Sequence, residues 1–313
     1  MNMARRLFSR AGLFLFLCGL SWLSGCICED RSGCPPEAGD KFVVLKIKDE
    51  ITGWDITETG EAGSAVLYLF SPEGYFTGRI SVTGEQIVRH RPILLPVEVS
   101  NGCHVSVWSN MGTAQLFHAP VEGSGIGERA VSLIEGEDAF HGTPDDLFFG
   151  HVRLIPGKTA DPEVVTLVRK NARMHITVRG LDRSIPEDRY YLTVEIPNNG
   201  YDFTGNPITG TARVRRTGTF HDNGDFSTDG AFNLIHTDPA ASAADVVTVN
   251  LYEKASVRSA DRLIASVTED NSRPISLPTG RTVNLLIDLN EDVGLSVYME
   301  ITPWDEIYQW NIW

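Results

Sequence analysis

The sequence predicts an all-β fold of two sandwiches in tandem, and three observations predict it. Apolar residues recur at every second position in one stretch after another, and Gly, Asn and Pro punctuate those stretches. Almost no window carries the 3.6-residue period of an amphipathic helix. A period of two sends successive side chains to opposite faces of a strand, and many short strands joined by turns define an all-β architecture. The 313 residues suit two domains of roughly 100–200 residues each. No short-period repeat is visible, which argues against a propeller or solenoid.

The chain opens with Arg5, Arg6 and Arg10, then an apolar run from Ala11 to Trp22. Positive charge followed by a short apolar run is the pattern of a secretory signal. The run falls short of the roughly 20 residues that span a bilayer. Leu23-Ser24-Gly25-Cys26 resembles the bacterial lipobox, which implies cleavage between Gly25 and Cys26 and lipid on the Cys26 thiol. Residues 1–25 are therefore the expected signal peptide. Residues 26–40 are a polar tether stiffened by Pro35-Pro36. Within it, Glu29-Asp30 resembles the acidic export signal of surface lipoproteins in Bacteroidales-type bacteria.

Strands begin after Asp40. Val43, Leu45 and Ile47 form one alternating set; Val66, Tyr68 and Phe70 alternate with Leu67 and Leu69; Val105 and Val107 alternate with His104, Ser106 and Trp108. Pro92 to Val99 is a further apolar run in which Pro96 marks an edge or a bend. Gly123 to Gly136 reads as loop, with a helical turn near Arg129 to Ile134. Ile155-Pro156-Gly157 and Asp161-Pro162 mark the expected boundary between an N-terminal sandwich, 41–157, and a C-terminal one, 158–313. In the second, alternation runs through Met174, Ile176 and Val178; Leu192, Val194 and Ile196; Val247, Val249 and Leu251; and Val283, Leu285 and Ile287. A turn at Asn290 to Gly294 then leads into Leu295, Val297, Met299 and Ile301, as in a hairpin.

A net charge of −14 argues against nucleic acid, whose phosphates need clustered Lys and Arg, and against a polybasic grip on anionic lipid. Five cysteines occur. With Cys18 in the signal and Cys26 the lipid site, Cys28, Cys34 and Cys103 remain, an odd number. Cys28 with Cys34 would close a local loop, while Cys34 with Cys103 would tie the tether to the first sandwich. Their spacing is not that of a zinc site. The sequence shows no Gly-x-Ser-x-Gly and no His-Glu-x-x-His, and nothing in it calls for a cofactor, metal or catalytic residue. Gly123 to Gly127 lacks the Lys-Ser/Thr of a phosphate loop. Asp222-Asn223-Gly224-Asp225 with Asp229 misses the calcium-loop spacing and reads as a solvated turn. The chain's most telling feature beyond its signal is its aromatic end, where Trp304, Tyr308, Trp310 and Trp313 crowd together. Exposed aromatics mark interaction surfaces, and a cap over the chain's own core is the rival reading. With Leu295, Val297, Met299 and Ile301 they form the candidate partner-binding set.

Taken together, several short motifs resemble the FimB-type fimbrial anchor lipoproteins of Bacteroidales-type, type V fimbriae, within the fimbrillin superfamily. They are the lipobox, the stretch from Cys26 to Cys34-Pro35, and Val107-Trp108-Ser109-Asn110, where Ser stands in place of the family's Gly. Asp146-Leu147-Phe148-Phe149-Gly150 and Val165-Thr166-Leu167-Val168-Arg169 through Ile176-Thr177-Val178 complete the set. The resemblance implies two transthyretin-like sandwiches, no catalysis, fimbrillin shaft subunits as partners, and a lipid-anchored place in the outer membrane at the base of a fimbrium. Cys103 is not part of the family's pattern. Shaft fimbrillins of the family are cut after a basic residue beyond their first strand. Here the loop reads Asp49-Glu50-Ile51-Thr52-Gly53-Trp54 and no Arg follows before Arg79, so the first strand is expected to stay. The alternatives are a surface glycan-binding lipoprotein, and a shaft or tip subunit.

Overall fold

The structure, a computed structural model, describes residues 40–96, 102–136, 138–155, 161–237, 246–255, 260–290 and 294–310. Gly25, Cys26, Cys28, Cys34 and Trp313 lie outside the described residues. The first nine strands are β1 (Lys41–Ile47), β2 (Ser64–Phe70), β3 (Phe76–Thr83), β4 (Ile93–Leu95), β5 (Cys103–Ser109), β6 (Gln115–Phe117), β7 (Arg129–Leu133), β8 (Phe148–Leu154) and β9 (Glu163–Arg169). Next come β10 (Asn171–Arg179), β11 (Tyr190–Asp202), β12 (Pro207–Arg216), β13 (Gly218–Phe220), β14 (Phe226–Thr228), β15 (Phe232–Ile235) and β16 (Thr248–Glu253). The last are β17 (Arg262–Val267), β18 (Glu269–Asp270), β19 (Arg273–Pro274), β20 (Arg281–Asn290) and β21 (Gly294–Pro303). The one α-helix among the described residues is a five-residue turn, α1 (Gly84–Val88). Thr83 and Gln86 close it with a reciprocal capping box.

The first sandwich is a single seven-stranded sheet in the order β3-β2-β5-β8-β9-β1-β4. β8 and β9 share only two register pairs, Phe148 with Arg169 and Phe149 with Val168, and there the sheet folds so that its halves face each other. Val43, Leu45 and Ile47 of β1 and Val165 and Leu167 of β9 share one buried cluster with Leu67, Leu69, Val105, Val107 and Phe148 from the other half. Gly150 allows that close approach, since a Cβ there would collide with the Thr166 carbonyl oxygen. β4 is a short edge strand that stops before Pro96.

In the second sandwich, the sheet β13-β14-β10-β20-β21 faces the sheet β17-β16-β11-β7-β6, with β15 added on β10 and β12 on β11. Met174, Ile176, Leu192, Val194, Val249, Val283 and Leu285 meet between the two sheets. The strand pairing runs differently from the boundary expected at 157/158. β9 joins the first sheet beside β1, and β6 and β7 join the second sandwich through β11. The chain therefore crosses between the sandwiches three times, before β6, after β7 and finally at Lys170 between β9 and β10. Arg129 to Leu133, expected as a helical turn, is strand β7. Its register with Gly200 and Tyr201 of β11 buries Ala130 and Val131, and that long-range pairing overrides the local pattern.

Strands β2 and β5, and the first residues of β8, are buried on both faces. Their second face carries Tyr68, Phe70, Trp108 and Phe149, which pack against the far end of the 13-residue β11. Tyr68 lies 5.2 Å from Phe117 and 5.3 Å from Phe203 between ring centroids, and Trp108 lies 4.7 Å from Phe149 and 5.6 Å from Tyr201. Cys103 opens β5 on the inner face as a free, buried thiol, and burial pushes it up to about 11. Cys34, its candidate partner, lies outside the described residues, and among the described residues Cys103 packs as a small apolar core residue.

The motifs behind the resemblance converge at the junction. Asn110 takes a left-handed backbone, φ 59°. Its amide accepts from Gly63 N at 2.9 Å and donates to the Glu61 carbonyl at 2.8 Å and the Asp146 carbonyl at 3.0 Å. Arg169 is buried there. Its Nε donates to both oxygens of Asp146, at 2.9 and 3.0 Å, and its Nη2 donates to Glu61. The guanidinium lies 5.0 Å from the Phe148 ring centroid and 4.4 Å from that of Trp304. Burial nonetheless raises the Asp146 carboxyl above its ordinary range, against the pull of Arg169.

Two predictions follow from the junction. Arg169→Ala strands two partly buried carboxylates and is expected to cost about 2–4 kcal/mol by chemical denaturation, while Arg169→Lys recovers less than half because the fork is lost. An Arg169→Ala midpoint equal to wild type would refute the role. Nearby, burial pushes Glu50 up to about 7, and its Oε2 has no partner among the described residues. Between the ordinary carboxylate range and about pH 7 the folded state holds a proton that the unfolded state has lost. Stability from this group is therefore full at the acid end and falls as pH rises through the window. Glu50→Gln should flatten that slope and gain about 2 kcal/mol at alkaline pH, allowing for partial exposure. Parallel pH–stability curves would refute it.

Candidate partner-binding face

The candidate face forms at the last strand and the tail that follows it. β21 pairs with β20 over ten residue pairs, from Arg281 with Pro303 to Asn290 with Gly294, and ends its sheet. The row expected to meet a partner turns largely inward. Met299 is 5% exposed in the core, Val297 and Ile301 pack against that core, and only Leu295, at 47%, is open to solvent. The physical reason is the alternation itself, since the apolar face of a strand beside a buried β20 has a core available to it. What β21 offers instead is its outer main-chain edge. At Met299 that edge is clamped by the β18–β19 hairpin: Met299 N donates to Asp270 Oδ2 at 3.2 Å, and Arg273 Nη2 donates to the Met299 carbonyl at 2.7 Å. A polar clamp of this kind limits uncontrolled edge pairing. Leu295, Val297 and Ile301 share the outward parity of Met299.

The tail doubles back over the outer, polar face of β10 and β20. Trp304 is 7% exposed and sits against the guanidinium groups of Arg169 and Arg173, at 4.4 and 4.8 Å. Its carbonyl accepts from Thr282 Oγ1 at 2.6 Å and Arg173 Nη1 at 3.2 Å. Thr302 Oγ1 donates to the Glu306 carbonyl at 2.5 Å, and Tyr308 N donates to Asn284 Oδ1 at 3.0 Å. Tyr308 and Trp310 stand edge to face, 4.8 Å apart. Trp304 is thus a structural plug bridging the sandwiches, while Ile307 and Tyr308 remain exposed. The sequence singled out the aromatics. The two arginines that hold Trp304, each far from it in sequence, carried no local signal.

The remaining candidates resolve as structure. Asp225 is spent on Arg179, with Nε–Oδ1 at 3.0 Å and Nη2–Oδ2 at 3.1 Å, and Asn223 donates to it at 3.0 Å. The 222–225 segment is the β13–β14 turn. Among the described residues, no group of three or more His, Cys, Asp or Glu is placed to hold a metal ion. The 123–127 loop is pinned to the turn after β2, Ile126 N donating to the Gly74 carbonyl at 2.8 Å. β1, by contrast, is an interior strand, parallel to β9 over five pairs and antiparallel to β4. The loop after it is tied down: Asp49 Oδ1 accepts from Ile51 N, Thr52 N and Thr52 Oγ1 at 2.7–3.0 Å.

The fold is that of a tandem β-sandwich subunit, with its first-strand position filled by its own chain and an aromatic tail folded back on the second sandwich. The chain belongs to the family of fimbrillin-A associated anchor proteins Mfa1 and Mfa2, whose family model matches residues 31–310. Among its relatives is the major fimbrium anchoring subunit FimB of Porphyromonas gingivalis, 25% identical over 319 residues that cover 95% of each chain. The fimbrial anchor protein Mfa2 of Porphyromonas gingivalis has a similar fold, with a TM-score of 0.61 at 13% identity over 85% of this chain and 98% of that one. A solved structure from Bacteroides thetaiotaomicron VPI-5482 superposes with a TM-score of 0.65 at 12% identity, covering 86% and 98% of the two chains.

The geometry separates Trp304 from the residues after it. Trp304→Ala is expected to lower unfolding stability by about 3 kcal/mol, whereas removal of 305–313 should change it by less than about 1 kcal/mol. Equal losses from both changes, in denaturant titrations, would show that the whole tail acts as one structural cap.

Proposed function

We propose that this chain is a non-catalytic outer-membrane lipoprotein that anchors a fimbrial shaft at the cell surface. Lipid on Cys26 holds one end, and the outer edge of β21 with the exposed tail residues meets the shaft. The observation that carries the reading is the interior position of β1. A subunit whose first strand is removed leaves a groove for its neighbour's strand, but here Val43, Leu45 and Ile47 fill that place completely. The loop beyond carries no basic residue from Asp49 to Trp54. A filled groove suits a terminal subunit better than a repeating one. FimB, the anchoring subunit of the major fimbrium, aligns along 95% of this chain, which supports the same end of the assembly. Fimbrillin shaft subunits are then the partners, and the fimbrium base at the outer membrane is the location.

The attachment is tested at Cys26. Two or more acyl chains, at about 0.8 kcal/mol per buried methylene, hold a protein stably. Cys26→Ala should therefore leave an unprocessed or soluble chain, and unchanged recovery in the outer-membrane fraction would refute the lipid anchor. The partner contact is tested by removing 305–313 from the lipidated chain. The truncated protein should fold and fractionate with the membrane yet co-purify with little fimbrillin. Undiminished co-purification would exclude the tail as the contact. A mature first residue beyond Asp49 on isolated fimbriae would instead make the chain a shaft or tip subunit.

A further inference from the structure

At one end of the second sandwich, two arginines, Arg173 and Arg216, border one cavity in a chain whose net charge is −14. The cavity, of about 520 Å³, is bounded by Arg173 on β10, Arg216 at the end of β12, Thr143, Asn233 and Asp229. Arg216 is the less compensated of the two. Its Nη2 donates to Thr143 Oγ1 at 2.9 Å and its guanidinium lies 4.8 Å from the Phe232 ring centroid. Its Nε is buried with no partner. Burial alone depresses its pKa, with no carboxylate offsetting the loss of water. Arg173 repeats the pattern: its Nη1 reaches the Trp304 carbonyl and Asp305 Oδ1 at 3.3 Å, while its Nε is buried and unpartnered. Arg215 adjoins Arg216 in sequence but is engaged elsewhere, 4.1 Å from the Tyr191 ring centroid and 3.7 Å from Asp138. Asp305 is well exposed at its side chain, so its ion pair with Arg173 is weak and readily exchanged.

Unpartnered buried donors on a planar cation are costly unless an acceptor arrives. Guanidinium forks match the oxygens of phosphate, sulfate and carboxylate. Asp229, the one acid on the cavity wall, argues against a bare polyanion filling the whole space. The volume is that of a small-molecule site rather than of a lone ion, and Thr143, Thr217 and Asn233 on its wall carry hydrogen-bonding groups for hydroxyls. We propose that this cavity binds a hydroxylated molecule of about sugar size through a phosphate, sulfate or carboxylate group, seated on Arg173 and Arg216. Arg173 also touches the tail at Trp304 and Asp305, whereas Arg216 contacts Thr143 and Phe232, so a change at Arg216 separates this site from the anchoring role.

The test is calorimetric titration of the full chain with glucose 6-phosphate, glucuronate, inorganic phosphate and glucose at matched ionic strength. Either or both anionic sugars should bind saturably and more tightly than inorganic phosphate, with glucose weakest; which of the two binds identifies the anionic group. Arg216→Gln should weaken the anionic sugar about ten-fold or more, Arg216→Lys should restore part of it, and Arg213→Gln, on the same strand outside the cavity, should leave it unchanged. Equal binding of inorganic phosphate and the anionic sugars would reduce the site to a simple anion trap and overturn the proposal. So would equal binding of glucose, no saturable heat from either anionic sugar, or an Arg216→Gln chain that folds and binds like wild type.

Discussion

The junction depends on one side chain, Arg169. It closes β9, the last strand of the first sandwich to be laid down, and β10 of the second begins two residues later. Its guanidinium gathers Asp146 and Glu61 from the first sandwich and Trp304 from the end of the chain. A charge this deep is tolerated because its Nε and Nη2 meet carboxylates and two aromatic rings lie close to the guanidinium.

Around that point the two sandwiches share an interior rather than touch at a surface. Strands β2, β5 and β8 give one row of side chains to each of two cores, so Phe148 and Phe149, adjacent in sequence, belong to different ones. The far end of β11 lies over the second row, and Ser106 Oγ donates to the Phe203 carbonyl at 2.5 Å in that buried layer. The result is a body in which residues 40–313 form one compact unit, built from two sandwiches that would each expose a wide aromatic face alone.

The strands themselves were legible because alternation is a local property. β1, β10, β11, β16, β20 and β21 all appear where Val, Leu, Ile and Met recur at every second position. Partnership was not legible. Nothing near Arg129 marks it as pairing with Asp202 of β11, and nothing near Val165 marks it as lying beside Leu45. The same limit applied at the candidate face. The apolar row of β21 was visible, but whether it faced a partner or its own core depended on β20. Trp304 was visible as an aromatic, but its role depended on arginines more than a hundred residues earlier. Asn110 is the opposite case, where a short motif marked a residue whose backbone twist and three amide bonds are needed together.

The parallel pairing of β1 with β9 has a mechanical consequence. The N-terminal end of β1 is where the preceding chain enters, and the C-terminal end of β9 is where the chain leaves for the second sandwich. A pull applied between residue 40 and that sandwich drags the two strands lengthwise in opposite directions. The main-chain bonds along the five register pairs are then loaded together in shear rather than peeled one after another. Side chains locked on the inner face of β1 resist the same sliding. Tension between the two ends of this body therefore meets its most cooperative element first.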